Sequence, residues 1–247
     1  MKLKVGTRGS KLALAYAERV CNALSYDTEI IIINSAGDLN PNVPINEIGG
    51  KGVFCTALEQ ELLNGTIDVA VHSLKDMPGD VEHPLLEIGA VLERNSPHDV
   101  LLGNVFDGCV LGTSSPRRKA QLEELYSNLN VVIKPIRGNI DTRLEKLDNG
   151  EYDAIILAEA GLQALGIDRE YTRLPIVPAV GQGIIALQTV KGLMSSDMIK
   201  EINHDLTYRQ AKLERALLKG IGGDCTTKVA GYASGDNPIK LEAVYYD

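Results

Sequence analysis

Apolar residues in this chain follow two alternating periods. Short aliphatic runs at 2–7, 28–33, 68–73, 85–92, 110–115, 131–136 and 153–158 read as strands buried on both faces. Interleaved with them, apolar positions recur three and four apart, which predicts helices over 11–24, 53–64, 116–126 and 140–149. Strands and helices in regular succession predict an α/β protein with mostly parallel sheets. Further on, a charged helix is predicted near 208–219, then two strand-like runs at 229–233 and 239–247. These suffice for a small additional unit.

The pattern also repeats itself. Val5-Gly6-Thr7-Arg8-Gly9-Ser10 ends a strand at Gly-Thr and offers a serine to cap the helix behind it. Leu111-Gly112-Thr113-Ser114-Ser115-Pro116 does the same later, with a proline suited to the first helical turn. Leu63-Asn64-Gly65 and Asp148-Asn149-Gly150 each close a helix with Asn-Gly, which suits a left-handed C-terminal cap. A buried strand follows in both cases. The same devices in the same order predict two similar lobes, each offering helix N-terminal N–H groups to a shared cleft. Pro178-Ala179-Val180-Gly181-Gln182-Gly183 reads as the return crossing between them. The predicted division is 1–90 with 183–202 for one lobe, 91–182 for the other, and 203–247 for a C-terminal domain.

Charge adds a location. The 247 residues carry a formal net charge of −8, which argues against a nucleic-acid binder with a broad basic face. Yet residues 112–143 hold Arg117, Arg118, Lys119, Lys134, Arg137 and Arg143 against only Glu123, Glu124 and Asp141. Cations gathered at loop ends of an acidic protein predict an anion site. Arg117 and Arg118 fall in a helix's first turn, where the macrodipole disfavours cations and a ligand carboxylate would relieve that cost. No run approaches the ~20 apolar residues of a membrane span. The N-terminus lacks the apolar core of a secretory signal. The reading is a cytoplasmic protein with no membrane partner.

Cys21, Cys55, Cys109 and Cys225 form no Cys-x-x-Cys pair and no metal-ligand spacing with the four histidines, so no metal is predicted. The first three read as buried thiols. Cys225 follows Ile221-Gly222-Gly223-Asp224, a glycine-rich loop on which a thiol is exposed enough to carry something.

His72-Ser73-Leu74-Lys75-Asp76-Met77-Pro78 ends a buried strand, and ligands bind at strand C-terminal ends in open parallel sheets. Lys75 and Asp76 are therefore predicted to face the cleft. Asp76 reads as the one carboxylate among many cations, placed for proton transfer or for stabilising a developing positive charge. His72 reads as a structural hydrogen-bonding residue. Gly49-Gly50-Lys51-Gly52 brings a cation on a flexible loop but lacks the P-loop spacing. Residues 37–52, rich in Gly, Asn and Pro, read as a mobile lid. The chain has no GxGxxG after its first strand, no HExxH and no GxSxG, which removes the usual support for nucleotide-cofactor and hydrolase readings.

Assembled in order, these motifs resemble the hydroxymethylbilane synthase (porphobilinogen deaminase) family. The resemblance runs from Thr7-Arg8-Gly9-Ser10-Lys11-Leu12-Ala13-Leu14 through GGKGVF, DVAVHSLKDMP, GTSSPRRKAQL, IRGNIDTRL, LDNGEYDAIILAEAGL and PAVGQG to the Cys225 loop. It implies an α/β fold of two lobes like type II periplasmic binding proteins around a cleft, plus a small C-terminal α+β domain. It implies a dipyrromethane cofactor joined to Cys225 through a thioether. The implied reaction condenses four porphobilinogen molecules head to tail, with loss of ammonia, to hydroxymethylbilane in tetrapyrrole (heme) biosynthesis. Asp76 is implied as the catalytic residue, stabilising a cationic azafulvene-like intermediate. Lys75, Ser73, Thr113, Ser115, Arg117, Arg118, Arg137 and Gly138 are implied with Cys225 as cofactor-binding. Arg8, Ser10, Lys51, Phe54, Arg143 and Gln182 are implied as substrate-binding. The expected working form is a monomer acting on a small molecule, without nucleic acid.

Two features depart from the family pattern. Asp224 immediately precedes Cys225, and Lys228 stands where the family has proline. A carboxylate beside the thiol is expected to raise its pKa and slow cofactor attachment. The chain also ends at Asp247, earlier than most relatives, which leads to the expectation of a shortened third domain with an exposed sheet edge. The rival readings are a non-catalytic two-lobed anion-binding protein, which would need neither Asp76 nor Cys225, and a truncated, low-activity paralogue of the synthase.

Overall fold

The computed structural model describes residues 2–34, 52, 55–79, 83–222 and 227–246. The chain opens with β1 (Leu3–Thr7), α1 (Lys11–Ala23) and β2 (Thr28–Ile32). Then come α2 (Thr56–Asn64), β3 (Val69–Ser73), a 3₁₀ turn at Leu74–Asp76, and β4 (Leu86–Val91). A second run comprises β5 (Asp99–Gly103), β6 (Val110–Gly112), α3 (Pro116–Leu125), β7 (Val132–Lys134), α4 (Ile140–Asp148), β8 (Ala154–Ala158), α5 (Glu159–Ala164) and β9 (Thr172–Arg173). The chain then continues through β10 (Ile185–Val190), α6 (Met194–Met198), α7 (Asp205–Gly220), β11 (Val229–Ser234) and β12 (Lys240–Tyr245).

Two five-stranded sheets share one plan, ordered β2-β1-β3-β10-β4 and β7-β6-β8-β5-β9. The sheets are mixed rather than mostly parallel: in each, one strand runs against the other four and makes half of the pairings antiparallel. Strand β10 is antiparallel to β3 and β4, and β5 is antiparallel to β8 and β9. These two strands carry the crossings, since β5 follows β4 into the second sheet and β10 follows β9 back into the first. The result is two α/β lobes of like topology, with a small two-stranded β11–β12 sheet beside α7.

Burial explains the strand composition. Every second residue of β3 faces a different helix: Val69 and Val71 pack in a cluster with Tyr16 and Val20 of α1, while Ala70 packs with Leu58 and Leu62 of α2. In β8, Ile155 and Leu157 likewise face one cluster and Ala154 and Ile156 another. A strand covered on both sides needs apolar residues at every position, so its sequence shows a run rather than an alternation.

The caps read from the sequence are present. Ser10 accepts from Ala13 N and Ser115 from Arg118 N, each at 3.3 Å. Gly65 and Gly150 are left-handed, with φ 70° and 73°. Two helix starts differ from the sequence reading. Helix α2 begins at Thr56 rather than 53, with Cys55 at its N-cap. Helix α7 begins at Asp205 rather than 208, because His204 Nδ1 accepts from Thr207 N at 3.3 Å and caps it earlier. Both crossing strands, β5 and β10, escape the sequence reading, which leaves 99–103 and 185–190 unassigned.

Candidate active site

Three elements deliver side chains to one cavity. The turn from β1 into α1 supplies Arg8 and Ser10, α1 supplies Tyr16, and the end of β3 with its 3₁₀ turn supplies His72, Ser73 and Asp76. Cys55 also lines it, and its thiol donates to the Asp76 carbonyl at 3.6 Å. Burial pushes the Cys55 thiol well up, and the Asp76 charge adds to this, so it stays protonated and inert. His72 is structural, as read from the sequence: it is buried with Nε2 3.0 Å from Gln188 Oε1, and burial lowers its pKa to about 4. Cys109 is buried and free like Cys55, whereas Cys21 is half-buried.

The arginines at the start of α3 correct one expectation. Their carboxylate partner is internal. Arg117 Nη1 lies 2.7 Å from Asp99 Oδ2, and Arg118 donates to Asp99 Oδ1 through Nη2 at 2.7 Å and Nε at 3.0 Å. Backbone carbonyls take further donors: Arg117 Nη1 reaches Val177 O at 2.8 Å and Arg118 Nη1 reaches Ile156 O at 2.9 Å. No ligand is needed to relieve the macrodipole cost in the first turn, because Asp99 of β5 does so. Burial alone would raise the Asp99 carboxyl, but Arg118 and Arg117 hold it well below the usual carboxylate range. Asp76 is therefore not the one carboxylate among the cations. Asp99 escaped the sequence reading, and its only signal was an acid opening a buried apolar run with no helix to cap.

A chain of polar contacts links the lobes through this pair. Lys75 Nζ donates to Gln182 Oε1 at 3.3 Å. Gln182 Nε2 in turn donates to Asp99 Oδ1 at 3.0 Å and to Pro97 O at 2.7 Å. Burial pushes the Lys75 ammonium down to about 8, while the Asp76 charge opposes that shift. Gln182 is itself fixed by Arg94, whose Nε donates to its carbonyl at 3.0 Å.

A further basic group lies before α4. Gly138 adopts φ 107°, and a Cβ there would come within 2.7 Å of Thr142. Arg143 Nε donates to the Gly138 carbonyl at 2.8 Å. Burial lowers the Arg143 pKa to about 10, with Arg118 and Arg137 pushing the same way and Asp76 opposing from the other lobe. Thr113 is buried, accepts from Ser115 N at 3.2 Å, and donates its own N–H to Lys134 O at 2.9 Å. Lys119 and Lys134 face solvent, so the basic wall of 112–143 is narrower than its charge count implies. Lys51, Phe54, Cys225 and Asp224 lie outside the described residues, as does nearly all of the 37–52 loop.

Arg8 and Ser10 thus share a cavity with Ser73 and Asp76, while Lys75, Gln182, Arg117 and Arg118 form a connected group around Asp99. Arg137, Gly138 and Arg143 come together at α4 and are coupled to both groups by charge. A polyanionic ligand fits such a wall, because its buried carboxylate is already neutralised by two guanidinium groups. Among the described residues, no helix is long and apolar enough to cross a membrane.

Comparison with known proteins identifies the family. A family model described as porphobilinogen deaminase, dipyromethane cofactor binding domain, matches residues 3–197. A probable porphobilinogen deaminase of Archaeoglobus fulgidus is 45% identical over 256 residues, covering 98% of this chain and 86% of the relative. The porphobilinogen deaminase of Orientia tsutsugamushi is 40% identical over 266 residues, covering 100% of this chain and 88% of its own. Among solved structures, substrate binding domain 2 of Lactococcus lactis GlnP aligns with a TM-score of 0.46 at 13% identity, over 90% of each chain. With a family model spanning most of its length and relatives above 40% identity, the chain belongs to the porphobilinogen deaminase family.

Proposed function

We propose that the protein condenses four porphobilinogen molecules head to tail, with loss of ammonia, to hydroxymethylbilane in heme biosynthesis. The observation that carries this is Asp76 at the end of β3, in one cavity with Arg8 and Ser10 and coupled to the cationic wall of the other lobe. Each condensation breaks one C–N bond and forms one C–C bond. The proton lost from the accepting pyrrole carbon leaves with the ammonia, and after the fourth condensation one water adds as the linear product is released, supplying its hydroxyl and the proton for the carbon left behind. As the C–N bond breaks, positive charge develops on the substrate's methylene carbon and spreads into its ring. The Asp76 carboxylate accepts the ring N–H and stabilises that charge.

When bound, the dipyrromethane cofactor supplies the tethered pyrrole end on which the chain is built, and Cys225 is its proposed thioether anchor. Lys75, Ser73, Thr113, Ser115, Arg117, Arg118, Arg137 and the backbone of Gly138 are assigned to holding its carboxylates. Arg8, Ser10, Lys51, Phe54, Arg143 and Gln182 are assigned to the incoming substrate. The Arg117–Arg118–Asp99 group keeps one net positive charge for this purpose, pre-oriented by its own pairing. We assign 1–90 with 183–202 to the first lobe, 91–182 to the second, and 203–247 to the cofactor-bearing domain. We assign the protein as a monomer acting in the cytoplasm on a small molecule, without a membrane, and the net charge of −8 argues against nucleic acid as a partner.

The intact mass of the reconstituted enzyme tests this. The expected result is an addition of two pyrrole units, lost in Cys225→Ser, with turnover abolished in Asp76→Ala while the fold survives. An unmodified Cys225 after full reconstitution, or near-normal turnover by Asp76→Ala, would overturn the reading.

A further inference from the structure

We infer that Tyr16 is a further substrate-contacting residue, whose hydroxyl donates a hydrogen bond to a carboxylate side chain of the pyrrole seated beside Asp76. This rests on the pyrrole-site reading above. Tyr16 is 7% exposed and packs with Leu3, Val5, Val20, Val69 and Val71. It also lines the cavity shared by Arg8, Ser10, Ser73 and Asp76. Among the described residues its hydroxyl has no hydrogen-bond partner. The hydroxyl is not one of the sealed-off side-chain atoms of the core, so it opens onto the cavity that Tyr16 lines. Open to the cavity and unpaired by the described residues, it is placed to meet a ligand that enters.

The surroundings specify which ligand group. Arg8 brings a cation to the cavity. Ser10 accepts from Ala13 N through its oxygen, so its own proton remains to be donated. The cavity lies at the start of the 13-residue α1, whose first N–H groups and macrodipole favour an anion. Burial, and then the Asp76 charge, push the Tyr16 phenol up to about 12, so at neutral pH it is a donor and not a base. An amine would be repelled by Arg8, whereas a carboxylate meets three kinds of donor. Asp76 repels that carboxylate and attracts the ring N–H. The two residues together orient the ring, with its carboxylate toward Tyr16 and its N–H toward Asp76.

The test is Tyr16→Phe in the full-length, cofactor-loaded chain. The expected result is a KM for porphobilinogen raised about tenfold with kcat within about twofold, the size of one hydrogen bond to a charged group. A porphobilinogen analogue with methyl in place of aminomethyl cannot react, so its equilibrium affinity is read independently of turnover. It should bind Tyr16→Phe about tenfold more weakly than wild type. A second analogue that also lacks both carboxylates should bind the two proteins equally. Equal affinity of both proteins for the dicarboxylate overturns the inference while leaving the proposed reaction intact. An equal loss with the carboxylate-free analogue assigns Tyr16 a structural role and also overturns it. If Tyr16→Phe binds the dicarboxylate tenfold more weakly while the wild-type protein shows no turnover, Tyr16 is supported and the proposed reaction falls instead.

Discussion

At position 99 burial and pairing pull in opposite directions. Desolvation favours the neutral acid, but two guanidinium groups at 2.7 Å hold the carboxylate ionised. The folded pKa is therefore depressed below the unfolded value of about 3.9. Its stabilisation is fully present above that pH and is lost as pH falls toward the depressed folded value. Asp99→Asn leaves two buried guanidinium groups uncompensated, and is expected to destabilise the protein by about 3–5 kcal/mol at neutral pH. Urea denaturation measures this, and the gap to wild type should narrow below about pH 4. Equal midpoints at pH 7 would remove Asp99 from the framework. Arg117, Arg118, Asp76, Arg8 and Ser10 were all legible in the sequence, as unusual charges or caps at loop ends. Asp99 was not, because its partners are set by which strands the fold lays beside α3.

Among the elements, helix starts carry the site. Ser10 caps α1 and Ser115 caps α3, so the same device starts a helix in each lobe. Helix α4 depends instead on Gly138, whose φ of 107° and closeness to Thr142 exclude a Cβ. Its carbonyl also fixes Arg143. Gly138→Ala is expected to cost about 1–3 kcal/mol, since a left-handed backbone is strained for alanine and Thr142 must move. Weaker substrate binding should accompany the lower melting temperature, because Arg137 and Arg143 flank the site. A variant that melts within a degree of wild type would show that the loop relaxes freely. The capping devices repeat in the sequence, so two similar lobes could be read there. The crossing strands could not, since a doubly covered strand and any other short apolar run look alike.

At the scale of the molecule, a buried ion pair ties distant segments together. Arg94 Nη1 meets Glu214 Oε1 at 2.5 Å, and its guanidinium lies 4.8 Å from the centre of the Tyr232 ring. Glu214 also accepts from Gly181 N at 2.6 Å and from Ala233 N at 2.7 Å. The first crossing, the return crossing, α7 and β11 thus meet on two side chains. Glu214→Gln should cost about 3–5 kcal/mol by leaving Arg94 buried without its countercharge. Limited proteolysis should then cut near α7 and β11 before the lobes. Resistance equal to wild type would show that packing alone holds the third unit. By itself the sequence determined the element types, the duplicated lobe plan, the family and the chemistry of its charged motifs, because periodicity, caps and motif order are local properties. Only the tertiary structure decided which cation faces which anion. That choice depends on β5 and β10 returning through the two sheets, which brings Asp99, Gln182 and Lys75 together from distant parts of the chain.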